Sequence, residues 1–501
     1  MAIVTRRNFV LGLAAAAVVP VPQCSPGSLP DPVPLPDDPF TLGVASGDPA
    51  PDGMVLWTRL APDPLNGGGM PNAAVPVHWE LALDPDFVDV IAEADAIADP
   101  ALAHSVHARA IGLPADTWFW YRFTAAGWTS PVGRTRTAPR PNARPASLRF
   151  GVTTCQHYAR GYYTAHQNLA LEDLDLVTFV GDYIYEANAS GPRTHGTPTA
   201  TTLADYRNRY ALYKSDPNLQ AAHAAFPWMV TWDDHEVVNN YAGDADSSGT
   251  STTAFLERRA QAYQAWYEHQ PVMLPGGASP RFDIYRMLVW GKLARMAILD
   301  GRQFRTPYRC GSGGGALCEA MAGNDVTMLG TAQEQWLASN LAAAPATWHA
   351  IAQQTVMTPF APSTVGSGVN LDQWDGYPAA RSRMFDLLEH PAVTNPVVLT
   401  GDIHCAIALD MHRDGNVANP KVATELVAPA VSSTFAAGLE AGFEAGLNAR
   451  PQTRHVNAHQ RGYLTCEVTP DQWVARYRVV DSLVPSSGAT TDATIVLDAE
   501  G

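Results

Sequence analysis

The chain has 501 residues, of which 46% are hydrophobic and only 16% charged, a composition typical of globular and not of disordered proteins. This length favours two domains over a single core. The formal net charge of −16 argues against a nucleic-acid-binding surface, because such surfaces need basic residues to displace counterions.

The first residues have the features of an export signal. "MAIVTRRNFVLGLAAAAVVPVPQ" joins Arg6 and Arg7 to an apolar run that is too short to span a bilayer. The segment is similar to the twin-arginine (Tat) signal, with an ordinary Sec signal as the alternative. We expect residues 1–37 to be a Tat-type signal peptide and proline-rich linker, recognised by the Tat export machinery. The mature protein would be periplasmic or secreted, without a membrane span. Cys24 fits a lipoprotein signal poorly, and we interpret it as incidental.

Export implies an oxidising compartment, in which cysteines tend to pair. Cys310 and Cys318 bracket the glycine-rich loop "CGSGGGALC" and are the natural disulfide pair. Cys405 and Cys466 could pair or stay buried as thiols. Cys155 is left over, at the end of an apolar strand, and an unpaired thiol in an exported protein calls for a reason.

Short alternating runs follow the linker, with turn residues between them at the spacing of a small β-sandwich. The predicted strands are "MVLWTRL", "VPVHWELAL", "SVHARAIGL" and "WFWYRFTAAG". A second proline-rich stretch, "TAPRPNARPAS", comes after them. We therefore predict a small all-β domain over residues 38–140.

From residue 148 onward, continuous apolar strands alternate with helical segments. Strands without strict alternation are covered on both faces, so residues 147–501 are predicted to form a layered α/β domain. The predicted strands are "SLRFGVTTC", "LDLVTFVGDYIY", "WMVTWDD", "LARMAILD", "WHAIAQQT", "PVVLTGDIH" and "TELVAPAVS". The predicted helices are "YTAHQNLALEDL", "FLERRAQAYQAWYEHQ" and "TAQEQWLASNLA", the last with a capping box of Thr331 and Glu334.

Polar side chains cluster where four of these strands end. The four groups are Cys155; Asp182 with Tyr185; Asp233, Asp234, His235 and Glu236; and Asp402 with His404. Sites in open α/β sheets form at the carboxyl ends of the strands, so we expect these groups to share one rim.

The chemistry of these groups indicates metal ions. Thiolate, phenolate, carboxylate and imidazole together suit a trivalent or borderline transition ion, and phenolate is an iron ligand. Carboxylates alone suit Ca²⁺. Two metals sharing Asp182 would hold a hydroxide and clamp both oxygens of an in-line phosphoryl displacement. The alternatives are a plain buried thiol at Cys155 and simple ring packing at Tyr185.

An ordered series of motifs resembles the PhoD-type family of exported alkaline phosphatases and phospholipase D-like phosphodiesterases. The motifs are "LGVASGDPAPDGMVLWTRLAP", "GYYTAHQ", "EDLDLVTFVGDYIYE", "WDDHEVVNNYAGD", "LDGRQFR", "TMLGTAQEQWL", "LDQWDGYPAAR" and "VVLTGDIH". The resemblance covers nearly the whole mature chain. It implies a four-layer αββα metallophosphoesterase core of the calcineurin-like superfamily behind an immunoglobulin- or fibronectin-like sandwich.

The resemblance also implies a metal cluster of one Fe³⁺ with one or two Ca²⁺. The iron ligands would be Cys155, Asp182, Tyr185 and His404. Asp182 would bridge to calcium, for which Asp234 and Asp402 would supply further oxygens.

Catalytic and substrate contacts are expected beside the metals. His235 matches the histidine that stabilises the leaving group or the transition-state oxygens. Asn239 is a candidate for calcium or phosphate binding. Arg302 is a candidate for bidentate phosphate binding, with a structural pairing to Asp300 as the alternative. Glu236 would orient His235 or face water.

The sequence therefore predicts an exported metal-dependent alkaline phosphatase of the PhoD type. It would hydrolyse phosphate monoesters, diesters or both through attack of a metal-bound hydroxide. One alternative is a phospholipase D that acts on phospholipid diesters with the same core. Another is an inactive secreted binding protein, although such a protein has no need of an unpaired Cys155. A seryl route is disfavoured, since the sequence has no G-x-S-x-G motif.

Overall fold

The computed structural model describes residues 33–273, 282–360 and 364–499. Most of the predicted signal peptide, including the arginine pair and Cys24, lies outside these ranges. Within them, no helix combines the length and the apolar character needed to cross a membrane.

The N-terminal part of the described chain is all-β. Its strands are β1 (Val44–Ala50), β2 (Gly53–Arg59), β3 (Val75–Ala82), β4 (Val90–Ala98), β5 (Ser105–Ile111), β6 (Trp118–Ala125), β7 (Trp128–Thr129) and β8 (Gly133–Arg136). Strands β4, β3, β6 and β7 form one sheet, with β8 also paired to β6. Every second residue of β6 is buried, so one face of this sheet packs against β1, β2 and β5.

The second layer of this sandwich is not a separate sheet. Strand β1 pairs in parallel with a strand of the following domain, with Ser46 opposite Pro227 and Gly47 opposite Trp228. Strands β5, β2 and β1 therefore extend the main sheet of the α/β domain. The sandwich and the core share one continuous hydrogen-bonded sheet.

The remaining described strands form the α/β core. They are β9 (Leu148–Thr153), β10 (Leu176–Val180), β11 (Pro227–Thr231), β12 (Arg286–Trp290), β13 (Ala294–Ile298), β14 (Gly314–Ala316), β15 (Trp348–Ala352), β16 (Gly368–Asn370), β17 (Pro396–Thr400), β18 (Ala406–His412), β19 (Lys421–Val427), β20 (Thr453–Asn457), β21 (Arg461–Val468), β22 (Gln472–Val480) and β23 (Thr490–Asp498). One sheet has the order β23-β22-β21-β9-β10-β11-β1-β2-β5, and the other has the order β12-β13-β15-β17-β19-β18-β20.

Helices cover the outer faces of the two sheets. They are α1 (Thr164–Leu169), α2 (Leu203–Lys214), α3 (Pro217–Ala225), α4 (Thr252–His269), α5 (Glu319–Ala322), α6 (Thr331–Leu341), α7 (Pro378–Leu388) and α8 (Glu440–Asn448). Between the sheets, the rings of Trp348 and Trp473 meet edge to face at 5.7 Å. Helices α1 to α4 pack on the first sheet and α5 to α7 on the second. The predicted four-layer αββα core behind an all-β domain is confirmed.

The predicted capping box at the start of α6 is wrong. Gly330 occupies the N-cap position, with φ of 74°, and Thr331 is already helical. Glu334 instead accepts hydrogen bonds from the hydroxyl of Thr327 and from Arg383, whose Nε lies 2.8 Å away. The helix thus begins one residue earlier than the S/T-x-x-E pattern indicated.

The described cysteines form one disulfide and three free thiols. Cys310 and Cys318 form a disulfide. Cys405 and Cys466 are buried free thiols, so the first of their two alternatives, a mutual disulfide, is wrong. Cys155 is also a free, buried thiol and lies just after β9.

Gly47 lies where the sandwich joins the core, and a substitution there tests how tightly the two parts pack. A methyl group added there would lie 2.1 Å from the carbonyl oxygen of Pro271 and 2.6 Å from that of Trp228. We expect Gly47→Ala to lower the free energy of unfolding by about 1–3 kcal/mol through overpacking, measured from urea denaturation midpoints. Gly488→Ala is the control, since no atom lies within 4 Å of its added methyl group. Equal midpoints for the two variants would contradict the tight contact.

Candidate metal centre

Four candidate ligands share an unusual backbone conformation. Cys155, Asp182, Asp402 and His404 have φ values of 55°, 61°, 64° and 59°. Non-glycine residues rarely adopt this left-handed region, and such strain clusters at functional sites. In each case the chain turns sharply just after β9, β10 or β17. The turns hold polar side chains at the rim where the two sheets meet.

The first group of side chains converges closely. The ligand atoms of Cys155, Asp182 and His404 all lie within 4.8 Å of one another. The Tyr185 hydroxyl is 2.7 Å from Asp182 Oδ2, to which it donates a hydrogen bond, and 3.0 Å from His404 Nε2. These four residues come from three segments of the chain and from both sheets. The structure therefore brings together the four side chains that the resemblance assigned to iron.

A second, acidic group adjoins the first. Ligand atoms of Asp182, Asp234 and His235 lie within 4.8 Å of one another, as do those of Asp233, Asp234 and Asp402. Asp182 belongs to the first group as well, so the two groups are contiguous. Gln373, which sequence reasoning missed, donates from Nε2 to Asp402 Oδ2 at 2.6 Å.

The electrostatics of both groups favour a bound cation. Burial, and then the charge of Asp182, raise the pKa of Cys155 well above its usual value. The same two causes raise the pKa of Tyr185, and burial raises the pKa of Asp234 to about 7. Asp182 Oδ1, Asp233 Oδ2 and Asp234 Oδ1 are buried without a hydrogen-bond partner in the described chain. Buried acids without donors fit metal ligands, because a cation supplies the missing positive charge.

His235 lies beside this cluster and is held by a carboxylate. Its Nδ1 is 2.7 Å from Glu186 Oε2, and its ring centroid is 4.1 Å from that of Tyr185. Glu186 Oε1 accepts a hydrogen bond of 3.1 Å from the backbone N–H of Asn239. Burial acts to lower the pKa of His235, but Glu186 and Asp234 raise it well above its usual value overall.

Glu236 does not have the role that the sequence suggested. It is fully buried and neither contacts His235 nor faces water. Its carboxylate accepts hydrogen bonds from the backbone N–H groups of Asp182, Tyr183 and Asp233. Glu236 therefore ties the turn after β10 to the turn after β11. The carboxylate that contacts His235 is Glu186, one residue after Tyr185.

Comparisons with known proteins agree with this geometry. The family model described as PhoD-like phosphatase matches residues 150–477, and the one described as PhoD-like phosphatase, N-terminal domain, matches residues 27–139. The chain belongs to the PhoD-like phosphatase family. The predicted resemblance is confirmed, and with it the class of phosphoric ester hydrolase.

Two relatives show how far the similarity of this PhoD-like phosphatase extends. Alkaline phosphatase D of Bacillus subtilis (strain 168) is 45% identical over 472 residues, which cover 91% of this chain and 80% of that protein. A solved structure of PhoD superposes with a TM-score of 0.89 at 43% identity. That match covers 93% of this chain and 91% of the other.

The substrate-binding role predicted for Arg302 does not fit this PhoD-like phosphatase. Arg302 is fully buried. Its Nη1 and Nη2 donate to the two carboxylate oxygens of Asp372 at 2.6 and 2.9 Å, and its Nε donates to Asp233. Its Nη2 also lies 3.5 Å from Asp402 Oδ1. The guanidinium is thus enclosed by carboxylates, and the alternative pairing with Asp300 involves only the backbone N–H of Arg302.

Asp372, the partner of Arg302, lies in one of the motifs that carry the family resemblance. Asp372 precedes Trp374 and Asp375 in "LDQWDGY". Trp374, in the same motif, is fully buried in the core. Asn239 remains a candidate, since its side chain is exposed close to the Glu186–His235 pair.

Replacing Arg302 distinguishes a structural role from substrate binding. Because Arg302→Met leaves Asp233 and Asp372 buried without their partner, we expect the free energy of unfolding to fall by about 3–5 kcal/mol. The control is Arg309→Met, which breaks an exposed 3.2 Å pair with Asp325 and should cost at most about 1 kcal/mol. Both are measured by chemical denaturation. Unchanged stability of Arg302→Met with a raised KM would restore the substrate-binding interpretation.

Proposed function

We propose that this PhoD-like phosphatase is an exported, metal-dependent alkaline phosphatase that hydrolyses phosphate monoesters, diesters or both. The observation that carries the proposal is the convergence of a thiol, a phenol, an imidazole and several carboxylates at one rim. The name of its relative in Bacillus subtilis, alkaline phosphatase D, supports the same activity.

The donor set supports one Fe³⁺ with one or two Ca²⁺. Cys155, Asp182, Tyr185 and His404 would hold the iron, since thiolate, phenolate and imidazole suit that ion. Asp182, Asp234 and Asp402 would hold calcium through carboxylate oxygens, with Asn239 as a further candidate for calcium or phosphate. When bound, these metals activate water for in-line attack on phosphorus and neutralise the phosphoryl oxygens.

The chain's own residues position a proton donor beside the metals. The contact between His235 Nδ1 and Glu186 Oε2 fixes the ring orientation and leaves Nε2 for the leaving oxygen of the substrate. The ring of Tyr185 packs against that of His235, with the two planes inclined at 32°, and limits its rotation. Glu186 also receives the backbone N–H of Asn239, so the same carboxylate orders the segment that follows the histidine.

Export is proposed from the N-terminal sequence. The arginine pair followed by an apolar run in residues 1–37 supports recognition by the Tat machinery and release into the periplasm or medium. The disulfide between Cys310 and Cys318 is consistent with an oxidising destination.

The metal assignment is tested on untreated protein. We expect elemental analysis to give iron and calcium, and a visible phenolate-to-Fe³⁺ absorption band. Tyr185→Phe removes the only phenol in contact with Asp182 and His404 among the described residues, so the band should disappear. Tyr162→Phe, which alters a partly exposed phenol elsewhere, should keep it. A protein that contains zinc alone would contradict the assignment.

The activity is tested with a substrate panel and a matched pair of cysteine variants. We expect the wild-type enzyme to turn over a phosphate monoester and a bis-ester, and to leave phosphatidylcholine largely intact. Cys155→Ala should lower kcat by at least about 100-fold, a loss typical of removing a group that stabilises transition-state charge. Cys466→Ala removes a buried thiol in β21, within the core between the sheets, and should keep kcat.

Each contrary outcome has its own meaning. Preferred turnover of phosphatidylcholine would support a phospholipase D instead. Metal-loaded protein that turns over none of the three esters would support an inactive binding protein. Full activity in Cys155→Ala would refute the assigned site.

A further inference from the structure

A small polar cavity lies at the seam between the sandwich and the helices of the core. Its volume is about 190 Å³, and its polar lining includes Arg59, Asn72, His104 and Arg207. Ligand pockets for drug-sized molecules are usually about 300–1,000 Å³, so this cavity suits a smaller group. None of the candidate metal ligands lines it.

Arg59 is a buried cation without a carboxylate partner in the described chain. Its Nε donates to the carbonyl of Ala103 at 2.9 Å, and its Nη1 lies 2.7 Å from His269 Nε2. His269 Nδ1 is 2.6 Å from the carbonyl of Ala265, so its Nε2 accepts from Arg59. Nη2 of Arg59 has no hydrogen-bond partner among the described residues. A buried charge without a partner is costly, and an anion in the cavity would relieve that cost.

A glycine loop keeps this guanidinium nitrogen accessible. Gly67, Gly68 and Gly69 have φ values of 81°, 97° and 72°, a conformation that side chains disfavour. A methyl group added at Gly68 would lie 3.1 Å from Arg59 Nη2. Gly68 and Asp63 exchange two backbone hydrogen bonds, which close the loop over the cavity. The absence of side chains in the loop leaves room beside Nη2.

A second guanidinium group, that of Arg207, also lines the cavity. Arg207 donates from Nε to Glu268 Oε2 at 2.7 Å, and its Nη1 has no partner in the described part of the chain. Lys214, which does not line the cavity, lies 4.1 Å from the ring centroid of Trp57, and burial lowers its pKa well below the usual value. Burial, and then Arg59, Lys214 and Arg207, lower the pKa of His269 well below its usual value. Glu268, whose charge also acts on Arg59, is hydrogen-bonded to Arg207 and not to Arg59.

We propose that this cavity is a binding site for a small oxyanion, held by Arg59 Nη2 and Arg207 Nη1. Two guanidinium groups at one cavity match the geometry of tetrahedral and planar oxyanions. Inorganic phosphate is the anion that an active phosphatase releases, so the choice of phosphate as probe rests on the proposed function. The preference for a small free oxyanion rests on the cavity alone.

The number of phosphate ions bound per chain is measured by equilibrium dialysis of the metal-loaded enzyme against radiolabelled phosphate. Saturating 4-biphenylphosphonate, an ester mimic whose two rings and phosphonate together exceed the space in the cavity, is added to occupy the metal centre. We expect the wild-type chain to retain one phosphate and Asn72→Glu, which adds a carboxylate to the cavity lining, to retain none. Asn324→Glu carries the same charge change on an exposed residue that does not line the cavity, and should retain one.

Position is checked by soaking crystals with selenate and locating the anomalous peak. A peak within hydrogen-bond distance of Arg59 Nη2 in the wild type, absent from Asn72→Glu, supports the site. The proposal is overturned if wild type and Asn72→Glu retain equal phosphate, or if 4-biphenylphosphonate displaces all of it. Failure of the metal centre gives a different result: phosphate and 4-biphenylphosphonate would not inhibit ester hydrolysis, whereas the amount of phosphate bound at Arg59 would be unaffected.

Discussion

The fold of the site depends on how the chain stabilises several carboxyl groups that are buried at one rim. Asp182, Asp233, Asp234 and Asp402 lie close together, and burial raises the pKa of three of them. Arg302 supplies one positive charge, but three of these buried carboxylate oxygens have no donor among the described residues. Ionised together, such groups repel one another, so a cation bound at this rim would stabilise the arrangement. Metal binding of the kind proposed would therefore be coupled to folding.

The four-layer architecture explains why these groups meet. Strands β9, β10 and β11 run parallel in one sheet, and β17 runs parallel to its neighbours in the other. Because both sets end at the same rim, side chains that follow each strand face a common space. Left-handed turns at Cys155, Asp182, Asp402 and His404 store strain there, and Glu236 offsets part of it by binding the backbone of two turns.

Sequence patterns predicted the parts of the structure that are local. Seven core strands, β9, β10, β11, β13, β15, β17 and β19, were evident from apolar runs, and the candidate ligands from polar residues at strand ends, because the burial of a strand is a property of a short segment. The other core strands of the described chain, β12, β14, β16, β18 and β20 to β23, were not predicted. Which side chains these polar residues contact was not evident from the sequence. Whether Glu186 or Glu236 reaches His235, and whether Arg302 meets substrate or Asp372, depends on distances between segments far apart in the chain. Strand β1 was also missed, because "VASGDPA" has the composition of a turn and becomes extended through its pairing with β2 and β11.

The N-terminal sandwich is better understood as part of the catalytic scaffold than as an appended module. It continues the main sheet through β1, and its residue Arg59 is hydrogen-bonded to His269 at the end of α4.

Helix α2 links this seam to the candidate metal centre. It carries Arg207 at the seam and, two residues later, Arg209, which donates to the carbonyl of Tyr185. Tyr213 of the same helix accepts the backbone N–H of Tyr185 at 3.1 Å. One helix therefore contacts both the seam and the segment that supplies the phenol of the candidate metal centre. Removal of the sandwich would expose the seam, leave Glu268 and Arg207 to solvent, and loosen the helix that fixes Tyr185, so the two parts of the chain are expected to fold together.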